Sequence, residues 1–416
     1  MTLGDKRRRA HNKLAALPGV RSVRRPVTSA AGEHFDLYYV RTGPSGALPL
    51  VLIPGGPGMA SIGHYQRLRR RAAAAGLDIV MVEHRGVGMS RHDDAGQDLP
   101  PEALTIEQAV DDIGAVLADA EVGGAVIYGT SYGSYLAAGV GVSHPDLVRA
   151  MVLDSPLLNR DDIEIVRSEL RGLFWHGDPP GSADLAAKMR ELAEQGGLTP
   201  SDAQLAAALY GIGGAGMLHP ILDLLLDDRR LLWTTMSYIG RMADRTVPFR
   251  NETDLVGPIG FRELNFQGIP DGLPLDPAVA MRESACEVPD FEGEPFDFVT
   301  EMPSFRWPTV VVSGGNDLIT PPAVAERIAG LVPHSALVRL PTAGHSILDT
   351  REQAALLIAK AVCAGRADDL PAQGAELDLL PAPPELQVIE WAIQAAARVE
   401  GLLPPAVPRL LGGFIS

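Results

Sequence analysis

The sequence predicts an α/β fold: a mostly parallel sheet with helices on both faces, carrying an inserted, mainly helical cap. Three observations predict it. Short β-branched runs alternate with helical periodicity through residues 1–155. That rhythm stops over residues 156–300, which show helical patterns and loops rich in Gly and Pro but no clear parallel strand. It returns in residues 301–375, ahead of a Pro- and Leu-rich C-terminal extension, 376–416.

"FDLYYVR" (35–41) and "LPLVLI" (48–53) read as strands, being rich in β-branched and aromatic residues. "IGHYQRLRRRAAAAG" (62–76) reads as a helix ending on Gly76, and "DIVMVE" (78–83) as a buried strand. "TIEQAVDDIGAVLADA" (105–120) is a helix in which Thr105 and Gln108 have capping-box spacing. "AVIY" (125–128), the helix "SYGSYLAAGVGVSH" and the strand "AMVLDS" (150–155) follow. In the cap, "DDIEIVRSELRGLFWHG" and "ADLAAKMRELAEQGG" are helical. Phe174, Trp175, Trp233 and Phe266 are expected to form the cap's own core or to line an acyl pocket. "PTVVVSGGND" (308–317) and "ALVRLPTAGH" (336–345) restore the strands, and "REQAALLIAKAVCAG" is the last core helix. In the extension, "ELQVIEWAIQAAARVEGLL" carries an apolar stripe expected to pack on the body.

The chain has 416 residues, 46% of them hydrophobic, enough for a sizeable core. A net charge of -16 argues against nucleic acid and anionic membrane as partners and suits a cationic substrate. Two cysteines, Cys286 and Cys363, allow one disulfide but no framework. The basic N-terminus lacks the apolar stretch of a signal peptide, and no apolar run approaches the ~20 residues of a membrane span. These features point to a cytoplasmic protein. No internal repeat is visible, and without HExxH or CxxC pairs no metal or cofactor is expected. "GIGGAG" (211–216) fits a dinucleotide-binding pattern but follows a helical segment, so it reads as a cap loop.

The chemistry centres on Gly129-Thr130-Ser131-Tyr132-Gly133, a G-x-S-x-G between a strand and a helix. Such an elbow holds its serine on a strained turn above the sheet, and the glycines let backbone pass without a Cβ clash. A serine hydroxyl needs a base, and the base needs an orienting acid. Asp317 and His345 each stand just past a strand, where open α/β sheets bind ligands. The order Ser, Asp, His suits that elbow. Asp154, closing the strand after the nucleophile helix, is the rival acid, with a turn or helix-capping role as its simpler reading. Oxyanion donors are expected from the Tyr132 amide and from "IPGGPG" (53–58), with Gly56 preferred and Gly55 second.

Five stretches together resemble the α/β-hydrolase peptidases of the tripeptidyl aminopeptidase and proline iminopeptidase family. They are "PGGPG" (54–58), "EHRGVGMS" (83–90), "GTSYGSYLA" (129–137), "SGGNDLITPP" (313–322) and "PTAGHS" (341–346). The resemblance implies the α/β-hydrolase fold and covers both core portions. It is weak in the cap. By similarity, "MRESACEVPD" (281–290) corresponds to a cap segment whose acids hold the substrate's amine, making Glu283 and Glu287 candidate amine anchors, although a solvated acidic loop reads as well. Pro54 stands where proline iminopeptidases have His, Tyr132 where they often have Trp, and Glu83-His84 departs from the family's Asp-led segment.

The expected activity is that of a serine hydrolase cleaving an amide of a small amine-bearing substrate, an aminopeptidase of prolyl or tripeptidyl type. A carboxylesterase, lactonase or biosynthetic tailoring hydrolase would use the same residues. A hydrolase-fold binding protein with little turnover is the rival from another class.

Overall fold

The computed structural model describes residues 3–28, 32–178, 180–243, 245–266, 268–285 and 288–404. Eight strands form one sheet: β1 (Val20–Pro26), β2 (His34–Thr42), β3 (Pro49–Ile53), β4 (Asp78–Val82), β5 (Ala125–Thr130), β6 (Val148–Asp154), β7 (Thr309–Gly314) and β8 (Ser335–Leu340). Their order is β1-β2-β4-β3-β5-β6-β7-β8. The pairs from β4 through β3 to β8 are parallel, whereas β1 and β2 add an antiparallel edge. Reversal of order about β3 places the ends of β3 and β5 side by side, the crevice where such sheets bind ligands.

Side-chain alternation builds a core on each face. Val51 and Ile53 point into one layer with the helices Ile106–Asp119 and Tyr132–Ser143, while Leu50 and Leu52 point into the other with the helix Glu352–Cys363. The helix Tyr132–Ser143 is made of small residues because it is hemmed in closely. A Cβ on Gly139 would stand 2.8 Å from Val110 and Phe296, and one on Gly141 2.8 Å from Trp307. Thr105 caps Ile106–Asp119 by accepting the Gln108 amide at 3.2 Å. The Gln108 side chain turns away and accepts from Arg85.

Arg85 belongs to a buried charge cluster that fastens this helix to the sheet. Asp112, fully buried, accepts Arg85 Nε and Nη2 at 2.7 Å and Arg25 Nε at 2.7 Å. Asp112→Ala should destabilise the fold by about 3–5 kcal/mol, because it strands a buried guanidinium without its counter-charge. Urea unfolding of the variant beside the wild-type chain measures this.

Between β6 and β7 the described residues form helices and loops, with no strand joining the sheet. This insertion has its own core, to which Phe174 and Trp233 contribute. Its longest helix, Pro200–Leu226, is by length and composition apolar enough to cross a membrane. That corrects the expectation that no run approaches such a span. Here the helix breaks at Gly213–Gly214 and packs Leu209, Met217, Leu218 and Leu222 into the insertion's core. "GIGGAG" is therefore a helix kink rather than a loop. The helix Pro384–Leu402 lays Ile393 and Ala397 on that same core, while Leu377 and Leu380 ahead of it pack into the layer on the sheet, so the extension spans both. Cys363 is a free thiol, and Cys286 lies outside the described residues.

Candidate active site

β5 delivers Ser131 to the crevice. The serine sits at φ 53°, ψ -126°, a strained conformation, and the helix Tyr132–Ser143 starts at the next residue. Both flanking glycines are required by space. A Cβ on Gly129 would lie 2.0 Å from the Gly133 carbonyl oxygen, and one on Gly133 would lie 2.2 Å from that of Ile53. The turn is anchored from below, where the Ser131 amide donates to the Asp154 carbonyl at 2.9 Å. Ser134 Oγ donates to the Ser131 carbonyl at 2.6 Å.

The loops after β7 and β8 bring the other two residues in. His345 Nε2 is 2.8 Å from Ser131 Oγ, and His345 Nδ1 is 2.9 Å from Asp317 Oδ2. Asp317 is buried and fully engaged: Oδ1 accepts the amides of Ile319 and Thr320 at 2.9 Å, and Oδ2 also accepts the Thr320 hydroxyl at 2.8 Å. Burial pushes the Asp317 carboxyl up, but the His345 charge and these hydrogen bonds outweigh it and hold the group below its ordinary value. On His345, burial pulls down while the Asp317 charge and hydrogen bond pull up more strongly, so its pKa lies above the usual histidine value. Thr320, two residues beyond "NDL", was not singled out by sequence. Only its hydroxyl's reach to both Asp317 and His345 Nδ1 (3.2 Å) reveals it.

Asp154 does not reach His345. Its Oδ1 accepts the Ile347 amide at 3.0 Å and its Oδ2 the Leu348 amide at 2.8 Å, with the Tyr128 hydroxyl also on Oδ2 at 3.1 Å. It thus caps the turn that follows the histidine, and burial pushes its carboxyl up to about 6. The helix kink of the insertion presses on the same loop. A Cβ on Gly344 would lie 2.3 Å from the Gly211 carbonyl oxygen, so glycine at 344 is needed for backbone to meet backbone beside His345.

"IPGGPG" lies opposite. A Cβ on Gly55 would come 3.2 Å from that of Ser131, and Gly55 and Gly56 line the same cavity as the serine. The loop is buttressed from two sides. Glu83 accepts the Ser61 and Ile62 amides at 2.5 and 2.9 Å, and burial pushes its carboxyl up to about 7. A strap from the insertion pairs with the loop's exit, the Glu252 amide donating to the Gly58 carbonyl at 2.9 Å. Glu252 is itself buried and salt-bridged to Arg7 of the N-terminal helix Leu3–Ala15 at 2.6 Å. His84 lies behind the loop beside Tyr132, where burial pulls its imidazole down to about 4.

Ser131 and His345 open into a cavity of about 650 Å³ roofed by the insertion. Leu157, Ile163, Val166, Leu264 and Phe266 form an apolar belt. Of the four insertion aromatics, Phe266 is thus on the cavity wall and Phe174 and Trp233 in the insertion's core. Glu283 is not brought to the cavity. Met281, on the helix Pro277–Ser284, and Ala285, just past its end, line it, while Glu283 between them is exposed and accepts from Ser201 Oγ at 3.3 Å. Glu287 lies outside the described residues. Sequence reading passed over Asp162, a buried carboxylate on the cavity wall. Among the described residues no group of three or more His, Cys, Asp or Glu is placed to hold a metal ion.

With this geometry in view, comparison with known proteins is informative about kinship. The proline iminopeptidase of Mycobacterium smegmatis superposes with a TM-score of 0.52 at 18% identity, covering 83% of this chain and 99% of that one. VinJ superposes with a TM-score of 0.50 at 17% identity, covering 83% and 98%. At such identities the likeness concerns the fold alone. The polyketide synthase ThaQ of Burkholderia thailandensis is 41% identical over 59 residues, 14% of this chain; the chain spans 3% of that protein's length. Residues 49–191 and 283–352, just over half of the chain, match the alpha/beta hydrolase fold family. Those two stretches carry the elbow serine, the acid and the histidine and leave out most of the insertion, and the chain belongs to the α/β-hydrolase family.

Proposed function

We propose that the protein is a serine hydrolase that cleaves an amide bond of a small, amine-bearing substrate, an aminopeptidase of prolyl or tripeptidyl type. The observation that carries this reading is the hydrogen-bonded run Ser131–His345–Asp317 at a partly open cavity beneath the insertion. His345 Nε2 takes the Ser131 proton as Oγ attacks the scissile carbonyl. Asp317 holds the ring and stabilises the imidazolium. The Tyr132 amide and that of Gly56, with Gly55 second, stabilise the oxyanion. His345 then protonates the departing amine, and water, activated by the same imidazole, clears the acyl-enzyme. The insertion excludes long chains from the cavity.

The amine preference is supported by charge. Asp162, Asp254 and Asp349 line the cavity, and its lining includes no lysine or arginine among the described residues. Apart from His345, the charged side chains that line the cavity are carboxylates, which would repel a substrate carboxylate and attract an ammonium. The apolar belt favours a second reading, an esterase or lactonase acting on an acyl chain with the same three residues.

A hydrolysis panel separates them: prolyl, other aminoacyl and tripeptidyl amides, their N-acetylated forms, and p-nitrophenyl esters. We expect free-amine amides to be turned over at least tenfold better, by kcat/KM, than their acetylated counterparts. Turnover of esters alone, indifferent to an amine, would overturn the aminopeptidase reading and favour the second. Failure of folded protein to react with a fluorophosphonate would favour a binding protein instead.

A further inference from the structure

The helix Leu3–Ala15 lies outside the residues that match the α/β-hydrolase family, yet it reaches the back of the oxyanion loop. Its Leu14 packs against the core layer that takes Leu50 and Leu52, and His11 meets the Tyr38 ring edge-on at 5.2 Å. Arg7 on this helix touches three points on two other segments. Its Nη1 lies 2.6 Å from Glu252 Oε1, its Nη2 donates to the Gly88 carbonyl at 3.3 Å, and its guanidinium stands 5.0 Å over the Phe249 ring. Glu252 and Glu83, both fully buried, converge on one turn: Glu252 accepts the Gly88 amide and Glu83 the Met89 amide. A Cβ on Gly88 would come 1.9 Å from Glu83 Oε1. Two buried carboxylates this close repel each other and call for a counter-charge. Arg69 acts on Glu83 through space, and Arg7 supplies the cation in contact with Glu252.

Glu252 closes the strap, residues 247–252, that lies along the loop's exit. Its amide donates to the Gly58 carbonyl at 2.9 Å, and the Ala60 amide donates to the Arg250 carbonyl at 3.0 Å, so loop and strap are laced in both directions. Within the strap Phe249 holds φ 60°, a conformation that persists in an aromatic residue only where its neighbours enforce it. Glu252 Oε1 accepts the Phe249 amide at 3.4 Å, and Arg7 covers the ring. We propose that Arg7 is a positioning residue for the oxyanion loop: through Glu252 it sets the strap against Gly58, and thereby the place of the Gly56 amide. Arg7 itself touches no substrate. A Cβ on Gly56 would stand 2.6 Å from the Gly58 nitrogen, a turn so tight that a shift of Gly58 carries Gly56 with it. The proposal rests on the serine-hydrolase reading and holds whether the scissile bond is an amide or an ester.

The test uses the full chain, Arg7→Met and Arg7→Lys, on whichever amide or ester of the hydrolysis panel the wild-type protein turns over best. Methionine keeps an unbranched stem over Phe249 and removes the charge, whereas lysine keeps a charge for Glu252. Each kcat is expressed per serine labelled to completion by a fluorophosphonate, so that unfolded molecules do not count. In Arg7→Met kcat per labelled site should fall about 10- to 100-fold, the cost of a displaced oxyanion donor, with KM little changed because the donor acts in the transition state. Arg7→Lys should restore most of that loss. Should Arg7→Met leave too few labelled sites, Arg7→Gln, which still donates a hydrogen bond, carries the same comparison. Fewer labelled sites with a wild-type kcat at each would mean that Arg7 only stabilises the fold, and overturns the proposal. A raised KM with kcat unchanged overturns it as well, since the effect would then lie in substrate binding. A wild-type chain that takes no label overturns the serine-hydrolase reading, and the positioning role with it.

Discussion

Ser131→Ala should lower kcat by about 10,000- to 1,000,000-fold on any substrate the protein turns over, with KM and thermal stability little changed. The size of the effect follows from how completely the local structure is built around one oxygen. Ser131 holds φ 53°, and the two glycines beside it tolerate no Cβ. Alanine at 131 keeps the backbone, so the strain, the helix start and the Ser131 amide bond to Asp154 survive. What is lost is Oγ, the partner of His345 Nε2 at 2.8 Å, and with it the covalent route. Initial rates, with circular dichroism to show an intact fold, measure it. Residual activity above about one per cent would mean that water attacks directly and that Ser131 only shapes the turn.

Sequence made the strands of the parallel sheet legible because they are buried on both faces. β3, β4, β5 and β7 read as short apolar runs, and burial is what apolar, β-branched residues record. It was silent about β1, "VRSVRRP", an edge strand with one partner, largely polar and with no fully buried residue. Ser131, Asp317 and His345 were legible for a related reason: each follows a strand whose end is a fixed address, so one-dimensional position translates into one place in space. Residues of the insertion have no such address. Glu283 was singled out by its segment and faces outward on its helix, while Asp162, "R-D-D-I" in sequence, looks like any acidic helix start. Its burial depends on the return of Leu158 and Asn159 over the carboxylate, which the local sequence does not announce. Asp154 shows the converse. Its place after β6 made it a rival acid, and only the amides of Ile347 and Leu348 reveal it as a cap for the histidine's turn.

Asp317→Asn should lower kcat by about 10,000-fold and also move the pH profile, a combination that separates its role from simple packing. In the wild-type protein kcat/KM should rise with pH through the His345 pKa, since only neutral imidazole can accept the serine proton. Burial lowers that pKa, and the Asp317 charge and hydrogen bond raise it further than burial lowers it, so the acid limb should lie above 6.5. Asparagine removes the negative charge and leaves the burial. The balance then reverses, and the acid limb should move to lower pH in the variant, with activity retained further into the acid range relative to its own plateau. Asp154 and Asp349 also raise the His345 pKa, and they remain, which limits the displacement. The loss at the plateau has a separate cause. Asparagine can present its NH₂ to Nδ1, favouring the tautomer with the proton on Nε2, where it blocks the serine. A pH series of kcat/KM on Asp317→Asn and the wild-type chain reads both effects at once. A large loss with no displacement of the acid limb would mean that Asp317 acts only by holding the loop through Ile319 and Thr320, and that its charge does not reach the histidine.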